Sequence, residues 1–383
     1  MIMLTKEAIA ELEKQQYRVI GSHSAVKTCG WTKTMIKGEG GCYKLKFYGI
    51  MSNQCMQMTT SISCANRCTF CWRGYKAPVS KEWQWGVDEP EFILKGSLDA
   101  HHQLLIGFNH SEKANQAAYQ SSKTVKHVAL SLTGEPIIYP RINELLEKFN
   151  REGISTFLVT NAQYPEQIKN LKPVTQLYVS LDAPNKEILK EVDKPLFPDF
   201  YERLLESLQY LKEKKERTCI RVTLIKGIND VHLEQWGEMI KKGDPDFIEV
   251  KSYMFVGESR ERLKRENMPL HEEVVKFSKK LADFLLEYEL MSEHIPSRVV
   301  LFAKKKFQIN NEWKTWIDFP KWHELVNSDQ DFSALDYCKK TPGVGISGEG
   351  TIDRMPADVR ERWLKKHQVD EKTQEMEFYE KEG

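Results

Sequence analysis

Six of the eight cysteines in this 383-residue chain lie between Cys29 and Cys71, in two sets of three. Cys64, Cys68 and Cys71 stand as C-x3-C-x2-C within SCANRCTFCWRG, with Phe70 just before the last thiol. Cys29, Cys42 and Cys55 are separated by twelve residues each time. Eight cysteines are far too few for a disulfide scaffold of this length, and in a reducing compartment such clustering points to metal or redox chemistry. Four thiolates close a tetrahedral zinc site or complete an iron–sulfur cube, whereas three leave one iron with an open position for a substrate or cofactor. The first set has no fourth Cys or His close by, and the long even spacing of the second is unlike the short hooks of zinc ribbons. It fits three loops converging on one cluster. Two such sets, ending and beginning nine residues apart, predict two clusters facing each other across a small cavity. Cys219 and Cys338 read as isolated thiols.

Something must position these sets. Downstream, β-branched runs at 126–132, 154–160, 174–181, 218–225, 247–251 and 298–302 read as buried parallel strands. Helical patterns lie between them at 140–152, 165–171, 200–214, 233–242 and 272–288. With the extended segment leading into Cys64, six to seven strand–helix units follow, short of the eight of a closed barrel. The expected fold is α/β, a partial (β/α)6-type barrel over 59–305, preceded by an extension over 1–58 that carries Cys29, Cys42 and Cys55 and followed by another over 306–383. Chemistry in such sheets sits at the C-terminal strand ends. There the sequence has Thr133-Gly134-Glu135-Pro136, Thr160-Asn161-Ala162, Ser180-Leu181-Asp182 and Arg221-Val222-Thr223, a ring of polar groups that could equally cap the strands.

Composition narrows the setting. With 40% hydrophobic and 29% charged residues and a mean hydropathy of −0.53, the chain is neither collagen-like, membrane-spanning nor wholly disordered. Its start, MIMLTKEAIAELEKQQ, reads as a charged amphipathic helix without an apolar signal core, so a cytoplasmic protein with no membrane partner is expected. The net charge of +1 conceals an asymmetry: up to Lys81 there are 12 Lys and Arg against 4 acidic residues, and beyond it 44 against 51. A basic first fifth suggests a polyanionic partner, with a merely solvated face as the alternative. In WRGYKAPVSKEWQW, aromatics interleave with Arg73, Lys76 and Lys81, as base stacking and phosphate contacts require. Arg73, Tyr75 and Lys76 are the candidate RNA contacts. Trp72 could also stack on a base, while Trp83 and Trp85 are expected to pack in the core.

The loop C-x3-C-x-aromatic-C after an extended segment resembles the signature of the radical S-adenosylmethionine superfamily. Together with the second cysteine set and the segments SLTGEP, TNAQYP, YVSLDAP, RVTLIKGIND and IEVKSYMFVGESR, it resembles the tRNA 4-demethylwyosine synthases of the archaeal, single-module type, from about Thr28 to Trp322. That resemblance implies two [4Fe–4S] clusters, S-adenosylmethionine cleavage at the one on Cys64, Cys68 and Cys71, and a carbon–carbon lyase. The substrate implied is N1-methylguanosine beside the anticodon of tRNA-Phe, which pyruvate converts to 4-demethylwyosine. It also implies that Gly134 and Glu135 receive the cofactor's amino group, although Thr133 replaces the superfamily's first glycine; by their position at the strand ends, Asn161, Ser180 and Arg221 are candidates for its ribose and carboxylate, with strand capping as the alternative for each. Eukaryotic members carry a flavodoxin-like domain before this module. None is expected here, so the electron donor would be a separate protein such as a flavodoxin or ferredoxin; a monomer is expected.

Pyruvate has two possible holders. It is a bidentate anion able to occupy the open iron left by Cys29, Cys42 and Cys55, the holder favoured because it gives that set a task. Alternatively a neutral lysine forms an imine. Lys44, two residues after Cys42, and Lys251, ending IEVK, are placed for this. Their bland readings are a phosphate-binding surface lysine and an interior charge paired with Glu249 or Glu258. Two other functions remain open: a radical enzyme activating a glycyl-radical partner, and a zinc-stabilised RNA-binding protein without catalysis. From Asp358 to Gly383 the chain is charged, of mixed sign and poor in large apolar residues, the pattern of a marginal helix or a disordered end.

Overall fold

The structure, a computed structural model, describes residues 4–74 and 77–347. The expectations for Tyr75, Lys76 and the tail beyond Asp358 therefore lie outside the described residues. The first extension contains α1 (Lys6–Lys14), the hairpin β1 (Arg18–Ile20) and β2 (Ser24–Val26), and the short helices α2 (Gly30–Ile36) and α3 (Tyr43–Tyr48). Thr5 caps α1 by accepting from the Ala8 amide, the ordinary task of a Thr at a helix N-terminus. The barrel strands are β3 (Cys55–Thr59), β4 (His127–Leu130), β5 (Ser155–Thr160), β6 (Gln176–Ser180), β7 (Arg217–Leu224) and β8 (Phe247–Ser252). Around them lie α4 (Pro90–Leu105), α5 (Gln116–Ser122), α6 (Ile142–Arg151), α7 (Pro165–Lys169), α8 (Lys186–Asp193), α9 (Phe200–Lys212), α10 (Leu233–Gly243) and α11 (His271–Ala282). Two further strands, β9 (Tyr288–His294) and β10 (Val299–Lys304), precede α12 (Phe319–Val326).

Strands β3 to β8 pair in sequence order and in parallel, the six-unit partial barrel expected. The last expected strand is the exception. β10 runs antiparallel to β8, because the chain first goes up β9 and returns through a tight turn at 295–297. The pattern assigned to one helix over 272–288 is thus α11 followed by the start of β9. The hairpin β1–β2 extends the other edge, antiparallel to β3, giving a ten-stranded sheet ordered β1-β2-β3-β4-β5-β6-β7-β8-β10-β9. No helix among the described residues is long and apolar enough to cross a membrane.

Alternate strand residues face opposite ways, and the apolar contacts divide accordingly. Leu158, Leu177, Val179, Ile220, Val222, Ile248 and Val250 pack under the outer helices. Phe157, Tyr178, Cys219, Phe247 and Leu301 face the lumen and pack with Tyr43, Phe47 and Tyr48 of α3, which plugs it. By the same alternation Ser180, Arg221, Glu249 and Lys251 are lumenal. The second extension closes the N-terminal end of the barrel. The Tyr337 hydroxyl accepts from the Arg217 amide (2.8 Å) and donates to the Thr175 carbonyl (3.1 Å). Thr315 and Trp316 donate from their side chains to the carbonyls of Phe47 (2.7 Å) and Lys46 (2.9 Å), bracing α3 from below.

Candidate active site

β3 links the two cysteine sets. It begins with Cys55 and ends at Thr59, whence buried residues 60–63 lead to Cys64. A five-residue strand spans roughly 13 Å between its first and last Cα, so one set lies deep in the barrel and the other at its C-terminal rim. At the rim, Gly134 adopts φ +66, and a Cβ there would sit 1.9 Å from the Ser61 carbonyl oxygen. Only glycine fits that approach. The next amide, of Glu135, donates to the Ser63 carbonyl (2.8 Å), which fixes the run into Cys64. Gly134 thus holds the cysteine loop by its backbone, and Glu135 supplies the carboxylate.

That carboxylate is 2% exposed. Its Oε2 accepts from the Asn161 amide (2.9 Å), while Asn161 Nδ2 donates to Cys64 Sγ (3.4 Å). Oε1 is buried with no partner among the described residues. Burial pushes Glu135 up to about 7, although hydrogen bonds led by the Asn161 amide pull the other way. An orphaned carboxylate oxygen linked through Asn161 to a cluster cysteine is what an ammonium group needs for a neighbour, so these residues fit S-adenosylmethionine.

Cys68 lies against Asp193, which carried no expectation from the sequence, and feels the charge of Asp182 from the strand-end ring. Asp193, the last residue of α8, is raised well above the ordinary range by burial and then by Asp182. Cys68 is itself raised by burial and then by Asp193, Cys64 and Cys71. Nothing marked α8 in advance, yet it holds the loop. Arg67 and Thr69 amides donate to the carbonyls of Asp193 (3.0 Å) and Val192 (2.7 Å), and the Leu196 amide donates back to Ala65 (2.8 Å).

In the lumen, Cys29 and Cys42 occupy the N-cap positions of α2 and α3, and Cys55 opens β3, so two helix starts and a strand converge rather than three loops. Burial raises Cys29, with Cys42 adding to it and backbone amides of Trp31 and Thr32 opposing. Burial pushes Cys55 up to about 12, against the charge of Lys44. Every cysteine–cysteine influence registered on Cys29, Cys55, Cys64 and Cys68 runs within its own set. Among the described residues no three His, Cys, Asp or Glu side chains are gathered at single-ion distance; the two sets are open arrays of thiols. Thiols held at high pKa bind iron only as thiolates, and the metal's own charge supplies that deprotonation.

Both candidate lysines border the lumen. Lys44 Nζ stands 4.6 Å from the Tyr178 ring centroid and 5.8 Å from that of Phe157. Lys251 is lowered to about 7 by burial and then by Arg221 and Arg298, with Glu249 opposing. Glu258, its other expected partner, belongs elsewhere, its amide donating to the Trp72 carbonyl (3.1 Å). Glu249 instead accepts from the Tyr48 hydroxyl (2.8 Å) and is felt by Tyr43 and Arg221. Ser180 is half-buried one pleat above Tyr178.

The expected RNA contacts are only partly available. Arg73 is half-buried, and its Nη1 donates to the carbonyls of Ile62 (2.7 Å) and Pro78 (3.2 Å), so the guanidinium also ties the cysteine loop together. Trp72 has Tyr17 stacked on it at 5.9 Å and Lys27 5.0 Å from its centroid. Trp85 is buried, as expected, and donates to Ser63 Oγ (3.3 Å).

Residues 58–240 match the radical SAM superfamily and residues 242–304 the wyosine base formation family. The S-adenosyl-L-methionine-dependent tRNA 4-demethylwyosine synthase TYW1 of Xenopus laevis is 47% identical over 365 residues, 94% of this chain and 50% of that protein. The chain spans about half the length of the curated relatives it matches. A solved structure of TYW1 with a lysine–pyruvate adduct bound superposes with a TM-score of 0.72 at 36% identity, covering 81% of this chain and 99% of that one. A crystal structure of archaeal TYW1 gives 0.66 at 34%, with the same coverage. With both cysteine arrays in one partial barrel and this likeness along nearly its whole described length, the chain belongs to the TYW1 family of radical S-adenosylmethionine proteins, the tRNA 4-demethylwyosine synthases.

Proposed function

We propose that this protein converts N1-methylguanosine beside the anticodon of tRNA-Phe, with pyruvate, into 4-demethylwyosine. The observation that carries the reading is the standing of Lys44 beside the deep cysteine array, in a barrel whose rim links Cys64, Asn161 and Glu135. Cys64, Cys68 and Cys71 would hold one [4Fe–4S] cluster and Cys29, Cys42 and Cys55 a second. Reductive cleavage of S-adenosylmethionine at the first supplies a radical able to take hydrogen from the substrate's methyl group. Glu135 accepts the cofactor's amino group with its free Oε1, and Asn161 keeps that carboxylate against Cys64. Asn161, Ser180 and Arg221 line the approach for ribose and carboxylate. An electron carrier of flavodoxin or ferredoxin type would supply the electron, and a cytoplasmic monomer acting as a carbon–carbon lyase belongs to the same reading.

Pyruvate's holder shifts from the iron alone to a lysine, because a TYW1 structure carries a lysine–pyruvate adduct. In that step the neutral amine adds to the ketone carbon and water leaves, forming the imine. Lys44 is the choice by position, since its imine would hold the two-carbon unit beside the deep array. One observation favours Lys251 instead: burial with two neighbouring guanidinium groups lowers its amine to about 7, so that a large share of it is neutral near that pH. Borohydride trapping with labelled pyruvate decides. Label should be fixed in the wild-type chain and in Lys251→Arg but lost in Lys44→Arg, as guanidinium forms no imine; label lost only in Lys251→Arg would transfer the role. Iron and sulfide quantitation tests the arrays. Replacing either triad by Ala should halve the iron, and only the 64, 68, 71 replacement should abolish 5′-deoxyadenosine formation. Unchanged iron would defeat the two-cluster reading.

A further inference from the structure

Arg262 stands on the connection between β8 and α11, nearly two hundred residues from the rim cysteines, yet its side chain is spent on their loop. Its Nε donates to the Thr69 carbonyl (3.0 Å), and its Nη2 donates to the carbonyls of Cys71 and Arg73, the latter at 3.1 Å. The same connection takes up the intervening carbonyl, because the Glu258 amide donates to Trp72 (3.1 Å). Gly257 permits that approach: it has φ +57, and a Cβ on it would lie 2.5 Å from the Trp72 oxygen. Four carbonyls around the last cysteine therefore have donors from one strap, three of them from a single planar fork whose geometry a lysine cannot copy. The strap belongs to the stretch matching the wyosine base formation family, and the loop it holds to the stretch matching the radical SAM superfamily.

We propose that Arg262 is a positioning residue for the rim cluster, fixing Cys71 toward Cys64 and Cys68 and setting the cluster's reduction potential by its fixed positive charge. This rests on the assignment of Cys64, Cys68 and Cys71 as cluster ligands. Reduction adds one electron to the cluster from an external reductant, and a cation held at the loop stabilises the reduced state. Removing the charge lowers the potential; keeping the charge without the fork loosens the loop.

The test uses the full chain, reconstituted anaerobically, as wild type, Arg262→Gln, Arg262→Lys and Arg260→Gln. Arg260 is exposed on the same strap; its Nε donates to the Phe255 carbonyl (3.3 Å) and its guanidinium lies 5.7 Å from the Phe255 ring centroid. The readouts are iron per chain and a potentiometric titration of the electron paramagnetic resonance signal that S-adenosylmethionine perturbs. Arg262→Gln should show a reduced-to-oxidised cluster ratio about tenfold lower at a fixed poise near the midpoint, a shift of ~59 mV for one electron, with 5′-deoxyadenosine formation reduced alongside. Arg262→Lys should recover most of the potential with an altered line shape, and Arg260→Gln should match wild type. Full iron with a wild-type potential and line shape in Arg262→Gln overturns the proposal. Should that variant lose iron, Arg262→Lys decides: iron regained with an altered signal supports the clamp, and iron regained with a wild-type signal overturns it. Unchanged iron in the Cys64, Cys68, Cys71 triple variant would instead defeat the ligand assignment itself, whatever Arg262 does.

Discussion

Glu135 illustrates a site residue held at a cost to the fold. Its folded pKa of about 7 lies above the ordinary carboxyl value of 4.5 because burial disfavours the charge. A raised folded pKa means that stability is fully present below the unfolded value and is lost as pH rises through 7. Above that pH the ionised carboxylate costs about 3 kcal/mol. Urea unfolding should therefore find Glu135→Gln more stable than wild type at pH 8, by up to that amount, and little different at pH 5. The same variant should lose S-adenosylmethionine binding, and wild-type binding should weaken as the pH falls below 7. A Gln variant no more stable at pH 8 would show that the carboxylate is already solvated. Gly134→Ala should be more damaging: it combines a positive φ with a contact of 1.9 Å to backbone. The conformation alone costs about 1 kcal/mol or more, and displacement of 61–63 should disorder the rim array, seen as lost iron in a chain that still folds.

Among the elements, the floor built by the second extension ties the deep array to the barrel. Trp322 is fully buried and packs on Tyr337 at 4.9 Å between ring centroids. Trp322→Ala should cost about 3–5 kcal/mol. Tyr337→Phe should cost about 1–3 kcal/mol, because it leaves the Arg217 amide buried without its acceptor. Both are read by thermal or urea unfolding. Because the floor braces α3 through Thr315 and Trp316, Thr315→Val should disturb the deep array and leave the rim array loaded, which iron analysis in each cysteine-triad background would reveal. Equal loss from both arrays would mean that the floor acts on the barrel as a whole.

For the molecule as a whole, charge decides where a polyanion can lie. Within the basic first fifth Arg73 braces the cysteine loop through one nitrogen, whereas Lys37 at the end of α2 is exposed and Lys33, one turn before it, is half-buried and donates to Gln16 Oε1 (3.0 Å). Each phosphate contact contributes roughly 0.7 to 0.9 to the slope of log affinity against log salt. Lys33→Ala with Lys37→Ala should flatten the slope for tRNA by about one to two. Arg73→Ala should instead reduce iron content. The basic run at 304–306 should matter less, because Lys304 pairs with Asp244 (2.6 Å) and Lys306 with Asp246 (2.5 Å). A larger effect there than at α2 would reverse the assignment of the RNA face.

Spacing and periodicity along the chain already determined the two cysteine sets, the six parallel strands and the polar residues at their ends, because each is a local pattern that folding preserves. The same information could not reveal that β10 turns back antiparallel, since its apolar run reads alike in either direction and only its pairing with β8 and β9 decides. Nor could it find α8, Asp193 or Arg262, whose tasks exist only where residues far apart in sequence meet the cysteine loop. Arg73 shows the limit most plainly. Its neighbours in sequence suggest an RNA-binding loop, and they give no sign that the carbonyls of Ile62 and Pro78 also come within reach of its guanidinium once the loop closes. A buried carbonyl needs a donor, and tertiary structure, not sequence context, chose which cation would supply it.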